Sequence, residues 1–468
     1  MEFNSAAFIV VFLLFYVIYC AVGNSVFWRR NLLLVFNLFF YFLLSKSGLF
    51  ILLAIALWDY FLALKIGNTQ DENKRRRFLY FSVVLDIGSL LLFRHFTDWF
   101  GPSVLGFWPA VIGISYFVFR SMGYVLDVYH ENVEIPEKNW FSYLTYLSFF
   151  PLILAGPISP ARDFLPALQQ PFVPRSVPSG KAVFLLITGI VKKFIFSGYL
   201  AVNFTDRVFA SPHLFTGMEN GLAAISQALV VYLDFSGYTD LMLGVGLLLG
   251  FSLSENFNFP YTSANISEYW RRWHMSLSKW LNEYLFFPLS FSLRRFRTAG
   301  TIMAVCITFA ISGFWHGTAF HFTFWGLLHA VALSWDILSN RLRDRMKKYI
   351  YGPVYTGISV LLTFAFLALS GIFFKAPDMA AGFLMVKKIF TDPQFGYFAD
   401  WLQAYKWVFV VMLNVLIWHW ILPDSYEKVL GAAEKIPWWL QGLALFATVF
   451  LAYTISGLEA QPFIYLQF

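Results

Sequence analysis

Trp315-His316-Gly317 lies inside an apolar stretch running from about Thr298 to Leu338, where a histidine should be least welcome. Hydrocarbon penalises polar side chains, so an ionisable group at membrane depth usually faces a cavity and works there. A second constellation precedes it, Trp270-Arg271-Arg272-Trp273-His274, followed by Ser276, Ser278 and Lys279. Imidazole titrates near neutrality and takes a proton from a hydroxyl without bringing permanent charge into the membrane. The neighbouring glycine, and a second histidine in a separate polar setting, raise His316 above an ordinary buried structural histidine.

His321 and His329 follow, which brings a metal site to mind. At about 100° per residue they lie roughly 140° and 220° around the helix from His316, so the three do not share a face. The chain has no His-Glu-x-x-His, no Gly-x-Ser-x-Gly elbow and no P-loop. Metal, serine-hydrolase and ATP-driven chemistry are therefore disfavoured.

Two further groups carry polar residues through apolar surroundings. In Asp234-Phe-Ser-Gly-Tyr-Thr-Asp240, Asp234 pairs with Tyr238 and Ser236 with Asp240 at one-turn spacing. A carboxylate at a helix centre costs about 2.5–3.5 kcal/mol, so a basic partner or a wet cavity must offset it. Arg271 and Arg272 are candidate partners, which would make Asp234 structural; alternatively Asp234 and Tyr238 line a substrate channel. Asn256 stands in Glu255-Asn-Phe-Asn-Phe-Pro-Tyr261, just before the Trp-rich basic run. That run predicts an amphipathic interfacial helix, whose arginines either anchor it or hold phosphate through paired hydrogen bonds.

These residues need a membrane scaffold, and the composition supplies one. Hydrophobic residues make up 59% and charged residues 13%, with 56 Phe and 17 Trp. Soluble domains carry about 25% charged residues, so the chain is read as an all-α polytopic membrane protein. Apolar segments fall near 6–22, 31–45, 48–66, 78–96, 104–126, 181–203, 221–251, 299–337, 353–374, 404–422 and 438–456. About eleven spanning elements are expected, some re-entrant. Residues 140–180 interrupt an apolar run with Phe149-Phe-Pro151 and Ala155-Gly-Pro-Ile-Ser-Pro160. Broken backbone at membrane depth must be buried in protein or line a cavity, so a re-entrant segment is expected there. Without repeats or a long hydrophilic stretch, residues 1–468 read as one membrane domain.

The net charge is +7, with basic clusters at Arg29-Arg30, Lys74 to Arg77, Arg294 to Arg297 and Arg341 to Lys348, between apolar runs. That is the pattern of cytoplasmic loops rather than of nucleic-acid binding. The first apolar run lacks a basic n-region and reads as a retained span with the N-terminus outside. Cys20 and Cys306 lie in apolar segments and indicate neither a disulfide framework nor a thiolate metal site.

Asp234-Phe-Ser-Gly-Tyr, Glu255-Asn-Phe-Asn, Tyr269-Trp-Arg-Arg-Trp-His274-Met-Ser-Leu-Ser and Trp315-His316-Gly317 occur in the order that characterises membrane-bound O-acyltransferases. With Phe149-Phe-Pro151, Ala155-Gly-Pro-Ile158 and the opening Phe3-Asn-Ser5, the chain resembles the bacterial branch typified by alginate O-acetyltransferase. Relatives in that branch acetylate peptidoglycan or cellulose. The resemblance runs over nearly the whole length. It departs after His274, where Asn282-Glu283 and Phe287-Pro-Leu-Ser-Phe291 replace the Arg-Asp pair and Gly-Gly turn of alginate-type proteins, so alginate itself is not implied.

The resemblance implies a tunnel across the membrane with His316 as the base at its centre and His274 as a second important histidine. It also implies acetyl-CoA as a cytoplasmic acyl-donor substrate, with no permanently bound cofactor, and an extracytoplasmic acceptor reached through a periplasmic partner transferase. Asp234, Tyr238, Asn256, Arg271, Arg272 and Trp315 are then the expected substrate and tunnel residues. The terminal Phe463-Ile-Tyr-Leu-Gln-Phe468 resembles the end of the small partner protein of lipoteichoic acid D-alanylation, which implies Tyr465 as an acyl carrier. A phenol activated by histidine is a reasonable transient nucleophile. D-alanyl transfer to teichoic acid is the alternative within enzymes, and a glycan or lipid transporter the alternative outside them.

Overall fold

The computed structural model describes residues 6–95, 111–421, 423 and 425–456. These residues form helices, joined by one isolated antiparallel bridge between Phe257 and Trp273. Among them, nine helices are long and apolar enough to cross a membrane, or ten when Phe395–Ala404 and Lys406–Ile421, bent by 96°, count as one broken span. That agrees with the all-α polytopic expectation. The chain folds as two compact units, Met1–Leu186 with Thr239–Glu255, and Ile187–Tyr238 with Asn256–Phe468.

In the first unit the helices are α1 (Ala6–Val22), α2 (Val26–Leu44), α3 (Lys46–Asn68), α4 (Glu72–Leu90), α5 (Ile114–Tyr129), α6 (Trp140–Ser148) and α7 (Ala161–Leu168). Polar residues between apolar runs start them. Ser45 accepts from Gly48 N at 3.2 Å, and Asp71 from Asn73 N at 2.9 Å, each satisfying an orphan donor of a first turn.

Residues 142–159 are buried almost throughout, as broken backbone in a membrane protein must be. The helix breakers end α6 at Ser148, and the loose carbonyls are met by side chains. Arg120, fully buried on α5, donates to Leu147 O at 3.2 Å and to Tyr146 O, placing a cation at the negative end of α6. Its guanidinium also stacks over the Tyr146 ring at 4.3 Å. Asn37 Oδ1 accepts from Phe150 N at 3.2 Å. Asp59 is likewise fully buried and accepts from Ser82 Oγ and Ser121 Oγ, both at 2.5 Å.

The second unit contains the end of α8 (Ser179–Ile190) and most of α9 (Gly217–Leu248). It continues with α10 (Ile266–Arg272), α11 (Met275–Leu281), α12 (Arg297–His316), α13 (Phe320–Tyr349), α14 (Gly352–Lys375) and α15 (Met379–Thr391). The apolar run read as one broken element over 299–337 is two helices, parted at Gly317-Thr318-Ala319. Their backbones meet because two positions lack side chains. A Cβ on Gly313 would stand 2.5 Å from Phe322 O, and one on Gly326 would stand 3.3 Å from Gly313 Cα. Small residues that let helices touch are the usual device where lipid supplies no hydrophobic drive.

Candidate active site

The stretch from Asn256 to Leu281 is short, polar and buried. The Phe257–Trp273 bridge is extended by Asn258 N donating to Arg272 O at 3.0 Å and Met275 N to Asn256 O at 2.9 Å. His274 leaves this bridge in the left-handed region, at φ 42° and ψ 53°, between the end of α10 and the start of α11. Asn256 Oδ1 accepts from Ser276 N at 3.2 Å and Ser276 Oγ at 2.6 Å, and lies 3.3 Å from His274 Nδ1. A backbone N–H can only donate, so the atom at this junction is the amide oxygen. Nδ1 therefore carries the proton and Nε2 the lone pair. The ring is packed edge-on against Phe235 at 4.7 Å. His274 lies between the spanning helices, and burial pushes its pKa down from 6.5 to about 3, so it is neutral.

The two arginines diverge. Arg272 pairs with Glu268 at 2.7 Å and donates to Thr262 Oγ1 at 2.8 Å, fastening α10 to the preceding turn. Arg271 is exposed. The N-terminus of α10 is capped by Asn265, which accepts from Glu268 N at 2.8 Å, and is tied to α13 by Ser267 N donating to Asp336 Oδ2 at 2.8 Å.

Neither arginine forms the ion pair of Asp234; Lys193 does, from the segment after α8. This partner was missed in the sequence, although Lys192-Lys193 interrupts the apolar run 181–203 as conspicuously as Asp234 interrupts its own. The segment Val191–Ser197 is π-helical, a widened turn that often marks functional positions. Gly237 lets α9 lie against it: an added Cβ would stand 2.9 Å from Gly189 O and 2.9 Å from Lys193 N. Tyr238, one turn beyond Asp234, is buried.

His316 is the last residue of α12 and is buried among rings. Trp315 lies 4.6 Å away by ring centroid, Phe374 of α14 5.0 Å, and Trp325 of α13 5.3 Å at an interplanar angle of 87°. Trp325 also lies 6.1 Å from Trp270, so one indole neighbours both the α10 segment and His316. The other two histidines on α13 face different partners. His321 Nδ1 lies 2.9 Å from Phe373 O, while His329 sits between Trp270 and Ser370. From the sequence His329 suggests only a possible metal ligand, since no spacing rule ties it to Trp270. Tyr465 and the motif 463–468 lie outside the described residues, as does the Phe3-Asn-Ser5 opening.

Comparison with known proteins gives this arrangement its chemical class. Residues 113–348, from α5 to the last turn of α13, match the membrane-bound O-acyltransferase family. A peptidoglycan O-acetyltransferase of Helicobacter pylori is 29% identical over 425 residues, covering 82% of this chain and 79% of its own length. The probable alginate O-acetylase AlgI of Pseudomonas putida is 30% identical over 416 residues, covering 86% and 81%. A teichoic acid D-alanyltransferase of Bacillus subtilis is 30% identical over 275 residues, covering 55% and 67%. The transporter alternative falls with these relatives. The chain belongs to the membrane-bound O-acyltransferase family and is an acyltransferase of the membrane.

Proposed function

We propose that this enzyme moves acetyl groups from cytoplasmic acetyl-CoA, through the bacterial inner membrane, to hydroxyls of an exported cell-envelope glycan. One observation carries the chemistry: the imidazole of His316 ends a spanning helix inside a wall of Trp315, Trp325 and Phe374. An imidazole held among rings at the end of that helix can accept a proton from a hydroxyl. His316 takes the hydroxyl proton as the oxygen attacks the thioester carbonyl. The C–S bond breaks, and the departing thiolate of CoA receives that proton from the imidazolium. His274 supports the step as a neutral imidazole held by Asn256, and Asp234, Tyr238 and Trp315 line the acyl path. Arg271, exposed on α10, meets CoA phosphates, whereas Arg272 serves the local structure.

The first acceptor hydroxyl is the Tyr465 phenol, which passes acetyl as an ester to an extracytoplasmic partner transferase and thence to the glycan. The N-terminus lies outside, as the positive clusters favour. The wider coverage by acetyltransferase relatives, 82% and 86% of this chain against 55%, supports acetyl over D-alanyl.

The test is purified protein in proteoliposomes given labelled acetyl-CoA. Acyl-enzyme at Tyr465 by mass spectrometry, CoA release, and loss of both in His316→Ala are the expected results. Tyr465→Phe should lose the adduct; an adduct persisting on another residue removes the carrier role. Turnover of acetyl-CoA by His316→Ala at the wild-type rate would falsify the assignment of the base, and turnover only with a D-alanyl donor would assign the alternative.

A further inference from the structure

His329 has no part in the chemistry above, yet both of its ring nitrogens are engaged. Trp270 Nε1–H donates to Nδ1 at 3.3 Å, and Ser370 Oγ lies 3.3 Å from Nε2. An indole nitrogen can only donate, so Nδ1 bears the lone pair and Nε2 the proton. The Ser370 hydroxyl donates to Leu367 O at 3.2 Å, which leaves an oxygen lone pair for the Nε2 proton. The imidazole is thereby fixed in one neutral tautomer, and it joins α10, α13 and α14 at a single point.

That point lies one ring away from His316. Trp325 is 4.8 Å from the His329 ring and 5.3 Å from the His316 ring. Phe374, one turn after Ser370 on α14, packs 5.1 Å from Trp325 and 5.0 Å from His316. Rings that contact a base set its orientation only as firmly as they are themselves held.

We propose that His329 is a positioning residue for His316. By bonding Trp270 and Ser370 it sets the Trp325–Phe374 wall against which the His316 imidazole is oriented. The inference rests on His316 being the base.

The variants are His329→Leu, His329→Asn, whose side-chain oxygen can still accept from Trp270, and Trp270→Phe, which keeps a ring without the donor. In proteoliposomes with acetyl-CoA, kcat of His329→Leu should fall roughly ten- to hundredfold, while KM stays within about threefold. The His329→Asn variant should recover most of that loss. Trp270→Phe should match His329→Leu, and the double variant should be no worse than either single one. A second readout needs no turnover: on folded protein, diethyl pyrocarbonate should modify His316 several-fold faster in His329→Leu, measured by mass spectrometry of its peptide. Should His329→Leu fail to fold, His329→Asn and Trp270→Phe carry the comparison. Wild-type kcat with wild-type His316 labelling overturns the proposal. So does a loss of kcat without altered labelling and without rescue by Asn, the mark of a purely structural residue. If the wild-type enzyme does not turn over acetyl-CoA, the functional reading fails instead, and the labelling contrast still decides whether His329 positions His316.

Discussion

The two compact units bury polar groups for different ends. In the first, Arg120 and Asn37 meet carbonyls and a backbone amide beside the stretch that proline and glycine have broken, and Asp59 joins α3 to α4 and α5 through serine hydroxyls. In the second, His274 and His316 are imidazoles set against rings, and Asp234 is paired with Lys193. Burial costs both sets, charged groups more than neutral imidazoles. A group that satisfies backbone returns that penalty as stability, whereas one kept with a proton acceptor in an apolar wall returns it as reactivity. Removing the first kind should unfold the protein; removing the second should silence it.

The contrast is broken most directly at His316. His316→Ala should lower turnover by roughly a thousandfold or more, yet leave the thermal midpoint in detergent within about 2 °C. A large drop in midpoint would move His316 into the structural class. The counterpart is Arg120→Met, which strands two carbonyls at the end of α6 and should cost about 3–5 kcal/mol. It should be seen as loss of monodisperse protein on size exclusion, and normal yield with reduced turnover would reverse the assignment.

Lys193→Met sharpens the line between the classes. Alone it leaves a buried carboxylate and should destabilise by about 3 kcal/mol, while Lys193→Met with Asp234→Leu should recover most of that loss. If the double variant is stable and active, the pair is structural; if stable but inactive, Asp234 belongs with the acyl path.

The smallest effect expected is that of pH on His274. Its folded pKa lies below the ordinary 6.5, so the unfolded chain binds the proton first. The stability it lends is complete above about pH 6.5 and declines as the pH falls towards 3. Between pH 7 and pH 5 the loss should be about 2 kcal/mol. His274→Asn, which tolerates the left-handed backbone, should flatten that slope in thermal melts. An unchanged slope would mean that another group titrates.

Much of this architecture was readable beforehand. A bilayer demands about twenty apolar residues per helix, so the spans stand out in composition alone. The breakers between Phe149 and Pro160 were enough to expect buried irregular backbone. The break at Gly317 was readable too, as a glycine in an apolar run too long for one span, but not that it parts two full helices of 20 and 30 residues. The partner of Asp234 was misjudged for another reason. Arg271 and Arg272 were attractive by their charge, but pairing depends on which helices touch, and Gly237 brings Lys193 alongside. His329 was hidden because its meaning depends on Trp270, 59 residues earlier.

By itself the sequence determined the membrane class, the helical content and the residue types able to accept a proton, since hydropathy and side-chain chemistry belong to each residue separately. Only the tertiary structure decided that Ser267 is tied to Asp336, that Asp234 is neutralised by Lys193, and that His316 shares a wall with His329. Those are properties of pairs far apart in the chain, and pairs exist only once the helices have packed.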